Sequence, residues 1–65
     1  MNWDQVEGRW TEFKGRVREA YGELSDDEVE KARGDREQLA GIVQAKYGKS
    51  KEDARNELDR MIAEL

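Results

Sequence analysis

Two stretches of the chain read almost alike. GRVREAYG, residues 15–22, returns as GIVQAKYG, residues 41–48, at a constant offset of 26. Gly15 matches Gly41, Val17 matches Val43, Tyr21 matches Tyr47 and Gly22 matches Gly48. Further back, Gly8 matches Gly34 and Leu39 answers Phe13. The echo predicts one αα-hairpin used twice. A lone amphipathic helix has nothing to bury its stripe against, so two hairpins packed across each other are needed to close a core.

The apolar pattern supplies the helices. Trp3, Val6, Trp10, Phe13, Val17, Tyr21 and Leu24 are spaced by three or four residues. At 100° per residue they fall within an arc of roughly 80°, the stripe of one long amphipathic helix. This helix is expected to be the longest in the chain, with Asn2 as its cap, Gln5 as the capping partner and Gly22 as a left-handed stop. Ser25 and Glu28 form the pattern of a capping box, which predicts a short helix over about residues 26–33 with Val29 and Ala32 inward. Gly34 is its stop. Asp35 is the cap of a third helix over about 36–47, with Leu39, Ile42, Val43 and Tyr47 on its apolar face and Gly48 at its end. Ser50, with Asp53 as partner, caps a fourth helix carrying Ala54, Leu58, Met61, Ile62 and Leu65 on one face. No segment alternates with period two, so strands are not expected. The predicted fold is all-α: one domain over 1–65, with four helices in two roughly orthogonal hairpins, about 2–33 and about 35–65.

Composition bounds what such a domain can do. At 65 residues it buries only about 60% of its unfolded surface, so its stability is expected to be small. There is no cysteine and no histidine, which removes thiolate chemistry, the usual general base and the commonest metal ligand. No apolar run approaches a membrane span, and Met1-Asn2-Trp3-Asp4 does not look like a signal peptide. A cytoplasmic location is the expectation. Charged residues make up 43% of the chain, yet the net charge is only −4, a poor match to nucleic acid.

Four groups of residues invite a functional reading. Gly8, Gly15 and Gly41 lie opposite the apolar stripes on a helical projection. They read either as tolerated weakness on a surface or as a contact face where a missing side chain admits a partner. The aromatic stripe resembles a stacking platform in spacing, but core packing accounts for it. Arg9, Lys14, Arg16 and Arg18 could meet phosphates, but Glu7, Glu12 and Glu19 are interleaved, with Glu12 and Arg16 at ion-pair spacing on a helix. The acidic run from Glu23 to Glu30 lacks the alternating ligands and the glycine of a calcium loop, and helix capping explains it. No nucleophile–base pair, phosphate-binding glycine loop or metal cluster is present. No cofactor is expected.

GRWTEFKGRVREAYGELSDDE, Gly8 to Glu28, followed by GDREQLAGIVQAKYG, Gly34 to Gly48, resembles the CsbD-like family of small bacterial general-stress proteins. The ordered set carries the likeness, from Gly8, Trp10, Phe13 and Lys14 through Tyr21, Gly22, Asp26 and Asp27 to Arg36, Gln38, Gln44 and Tyr47. The tail, Lys49 to Leu65, looks like the longer members, which continue into a final helix. The resemblance implies a small bundle of two roughly orthogonal hairpins and an association with stress, and it brings no catalytic residues. The expected function is that of a non-enzymatic, monomeric stress-response protein acting through contact with a protein partner or through bulk protection. The alternative is a small nucleic-acid-binding module using the basic residues of the first helix. An enzyme working with carboxylates alone ranks below both.

Overall fold

The computed structural model describes residues 3–65, in which four α-helices follow a single 3-10 turn. The turn is Val6–Arg9; α1 is Trp10–Ala20, α2 Asp26–Lys31, α3 Arg36–Tyr47 and α4 Lys51–Ala63. No strand occurs among the described residues. Helix α1 packs on α2 and on α4, and α3 packs on α4. The two hairpins are therefore α1–α2 and α3–α4.

The echo aligns the helices. Trp10 opens α1 and Arg36, 26 residues on, opens α3. Phe13 and Leu39 are both fully buried, as are Val17 and Val43. One contiguous core runs from Val6 to Ile62, drawing on all four helices, and no charged or polar residue is buried in it.

The first helix departs from the sequence expectation. It is not continuous from Trp3, and it is not the longest: α1 has 11 residues and α4 has 13. Arg9 leaves helical geometry at φ −130°, ψ 31° and separates the 3-10 turn from α1. Ahead of it, the Val6 and Gly8 N–H groups bond three residues back, to Trp3 and Gln5. A 3-10 turn stacks positions i and i+3 on one side. Val6 is thus buried, and Trp3, half-buried, lies edge-on to Phe13 with ring centroids 5.3 Å apart. The proposed cap Asn2 lies outside the described residues.

The helix ends divide between expected and unexpected. The Ser25–Glu28 capping box forms in both directions, the Asp35 side chain accepts from Gln38 N–H at 3.0 Å, and Ser50 accepts from Asp53 N–H at 3.1 Å. Gly34 and Gly48 adopt φ +75° and +66°, a region only glycine enters without a Cβ penalty. Gly22 does not. Tyr21 itself leaves the helix at φ −124°, ψ 76°, and the Leu24 N–H bonds back to Tyr21 at 3.0 Å. This turn drops Leu24 into the core, so a left-handed residue at position 22 is not required. The exit from α1 and the exit from α3 thus differ although the sequence repeats.

Candidate functional site

The three glycines singled out in the sequence sit on different elements. Gly8 is in the 3-10 turn, Gly15 in α1 and Gly41 in α3. A Cβ built at any of them would meet nothing within 4 Å, so no internal packing demands a glycine there. Gly8 and Gly15 are exposed and Gly41 is half-buried.

The basic residues of the first helix are mostly engaged inside the molecule. Arg9 pairs with Glu12 at 2.7 Å, which leaves Glu12 to Arg9 and not, as the spacing predicts, to Arg16. Lys14 meets Glu30 at 2.9 Å and Asp26 at 3.0 Å, and these carboxylates raise its pKa, Glu30 first. Arg18 reaches Asp26 at 3.4 Å. Arg16 alone of the four forms no ion pair among the described residues.

A recurring arrangement explains much of this pairing. Three of the four amphipathic aromatics, Trp3, Trp10 and Tyr21, point the polar atom at a carboxylate on a helix elsewhere in the chain, and a cation binds the same carboxylate. Trp10 Nε1 donates to Glu30 at 2.6 Å, with Lys14 alongside. Trp3 Nε1 donates to Asp59 at 2.9 Å, and Arg36 grips both oxygens of Asp59 at 2.9 and 3.2 Å. The Tyr21 hydroxyl donates to Glu57, which also accepts from Lys49 Nζ at 3.0 Å. The indole of Trp10 and the ammonium of Lys14 lower the pKa of Glu30. The phenol of Tyr21 and then Lys49 lower that of Glu57. Burial, followed by the Glu57 bond, raises the pKa of Tyr21 well above 10.0. No buried side-chain polar atom is left without a partner among the described residues.

The last of these arrangements borders an open cleft. Tyr21 and Tyr47, equivalent positions in the echo, meet there with ring centroids 5.3 Å apart. Tyr21 belongs to the α1 exit and reaches α4; Tyr47 ends α3, and its hydroxyl accepts from the Glu23 N–H at 3.0 Å. Each half of the chain therefore grips the other. With Ala20, Lys49, Arg60, Met61 and Glu64 they line a hollow of about 450 Å³, within the size range of ligand-binding clefts. A second hollow of about 280 Å³ adjoins it, sharing Ala20, Met61 and Glu64 and adding Arg16 and Glu19. Sequence reasoning did not single out this cleft. Its signal was the matched pair Tyr21 and Tyr47, but contact between echoed residues is a property of the packing, not of either helix.

Among the described residues no group of three or more acidic side chains is placed to hold a metal ion. No helix there is long and apolar enough to cross a membrane.

Comparison with known proteins places these features in a family. The family model described as CsbD-like matches residues 4–56. A UPF0337 protein of Bordetella pertussis is 47% identical over 58 residues, covering 89% of this chain and 88% of its own. The UPF0337 protein YjbJ of Escherichia coli (strain K12) is 43% identical over 58 residues, covering 89% of this chain and 84% of its own. A UPF0337 protein of Protochlamydia amoebophila is 47% identical over 57 residues, covering 88% of this chain and 86% of its own. No solved structure matches the chain.

Proposed function

The chain belongs to the CsbD-like family, and from that membership we propose that it is a non-enzymatic cytoplasmic stress-response protein that works by contact with another protein. The association with stress is what the family resemblance implies. The contact mode rests on one observation: the cleft where Tyr21 and Tyr47 meet is open to solvent and is built by both halves of the chain. The internal pairing of Arg9, Lys14 and Arg18 weighs against the nucleic-acid alternative, because a cation already neutralised releases few counterions from a phosphate backbone.

Ala20 tests this reading without touching the core, since it is exposed and lines both hollows. Ala20→Gln extends a polar side chain into the cleft. In cells lacking the wild-type protein and challenged by heat, salt or oxidant, the variant should restore survival poorly, while the purified protein melts within about 3 °C of wild type. Full rescue in every challenge to which the deletion is sensitive would end the cleft-contact reading.

A further inference from the structure

Nearly every cation in this chain is cancelled from within. Of the 12 lysines and arginines, only Arg16, Lys31 and Arg60 form no ion pair among the described residues. Lys31 is on the exposed side of α2. The other two border one surface: Arg60 lines the tyrosine cleft, and Arg16 lines the hollow that adjoins it. Between them lie Ala20 and Met61, which both hollows share. On a chain of net charge −4, two arginines without an ion pair thus flank Ala20 and Met61, with Arg60 acting on Glu57 only through its field.

Both arginines have a glutamate within helical reach, Glu19 three residues from Arg16 and Glu64 four residues from Arg60, yet neither pair closes to an ion pair. Lys49 in the same cleft is different, being committed to Glu57 at 3.0 Å. The arginines are therefore the groups here able to take a new carboxylate without breaking an existing bond. Arginine suits that task because its planar fork accepts a carboxylate in two parallel bonds.

We propose that the occupant of this cleft is an acidic peptide segment of a partner protein, seating one apolar side chain against Tyr47 and Met61 and placing carboxylates at Arg60 and Arg16. The proposal rests on the contact reading above and gives the partner its chemistry. A peptide suits the surface better than a nucleic acid. Glu19, Glu57 and Glu64 line the same ground and would repel a continuous row of phosphates, whereas a peptide spaces its charges and leaves gaps opposite those carboxylates.

The test is an NMR titration of the full chain with short capped peptides, each holding one phenylalanine flanked by aspartates, serines or lysines, beside a single-stranded oligonucleotide. The aspartate peptide should shift the amides of Ala20, Tyr47, Arg60 and Met61 and bind more tightly than the serine peptide, with the lysine peptide weakest. Arg60→Gln should weaken the aspartate peptide about 5–10-fold, as loss of a charge-assisted pair does. Glu64→Gln, at the residue that caps the same helix, should strengthen it about twofold by removing a repelling charge. Opposite signs at neighbouring exposed residues are not produced by a general loss of structure. Equal binding of the serine and aspartate peptides, with Arg60→Gln indifferent, would overturn the acidic partner and leave the contact reading standing. Preference for the lysine peptide or the oligonucleotide overturns it as well. So does the absence of any cleft shift up to about millimolar peptide, a concentration at which even weak contacts register; the contact reading is then judged separately, by Ala20→Gln in cells.

Discussion

The indole N–H of Trp10 donates to Glu30 Oε1 at 2.6 Å, across the α1–α2 interface. The same carboxylate oxygen accepts from Lys14 at 2.9 Å, and the Arg33 guanidinium lies 5.6 Å above the indole ring. The ring is otherwise buried, with 3% of its residue surface exposed. Trp10 is thus both a core filler and the polar tie that orients α2.

The two roles separate by substitution. Trp10→Ala removes both and should cost about 3–5 kcal/mol, comparable to the whole stability of a domain this size; circular dichroism at room temperature should show a largely unfolded chain. Trp10→Phe keeps an aromatic in the core and gives up the bond to Glu30. It should fold and lose about 1–3 kcal/mol by urea unfolding. Near-native melting of Trp10→Ala would disprove the core role.

The glycines should respond in opposite directions. Gly15 is helical, exposed and free of neighbours within 4 Å of a Cβ, so Gly15→Ala should stabilise by up to about 1 kcal/mol. Gly48, at φ +66°, should lose roughly 1 kcal/mol on replacement by Ala, because the left-handed conformation strains any Cβ. Thermal melts of the two single variants check both signs, and a lower melting temperature for Gly15→Ala would contradict the open helical face.

Acid should weaken the fold through Glu30 and Glu57. Both have pKa values held below the ordinary 4.5 by their aromatic donors and by lysine. A depressed folded pKa means that the ionised form is favoured in the native state. That stability is present above about pH 4.5 and is lost as pH falls through the lowered values. Tyr21 acts at the other end. Its raised pKa favours the protonated phenol, so its contribution is complete below pH 10.0 and drains away above it. Urea midpoints across pH should fall at both extremes, and Tyr21→Phe should flatten the alkaline limb; an unchanged limb would show that the Tyr21–Glu57 bond carries no such linkage.

Nucleic acid should bind only weakly. With Lys14 shared between two carboxylates and Arg9 and Arg18 paired, few free cations remain on α1 and the turn before it. Fluorescence anisotropy near 0.15 M salt should give no sub-micromolar affinity for DNA or RNA. A tight, salt-sensitive isotherm would restore the nucleic-acid reading.

Helix α3 was legible from its residues to both ends, because Asp35 and Gly48 are local signals whose geometry needs no partner. The capping box at Ser25 was legible for the same reason. The start of α1 was not. Its apolar residues are three or four apart, and such spacing suits a 3-10 turn as well as an α-helix; the break at Arg9 comes where Trp3 packs edge-on to Phe13, a contact the spacing does not reveal. Gly22 misled because it repeats Gly48 in sequence, while Leu24 pulls the α1 exit into a different turn. The cleft was hidden for a deeper reason. Tyr21, Glu57 and Arg60 come from opposite ends of the chain, and their meeting depends on the docking of the hairpins.

The echoed residues do not merely occupy equivalent places; two such pairs touch. Tyr21 faces Tyr47, and Glu7 holds Arg33 at 2.7 Å, again 26 residues apart. The tyrosine pair joins the two hairpins, whereas Glu7 and Arg33 both belong to the first and tie its start to the turn before Gly34. The 26-residue spacing is thus used once between the hairpins and once inside the first, so repetition in the sequence does not by itself fix which surfaces meet.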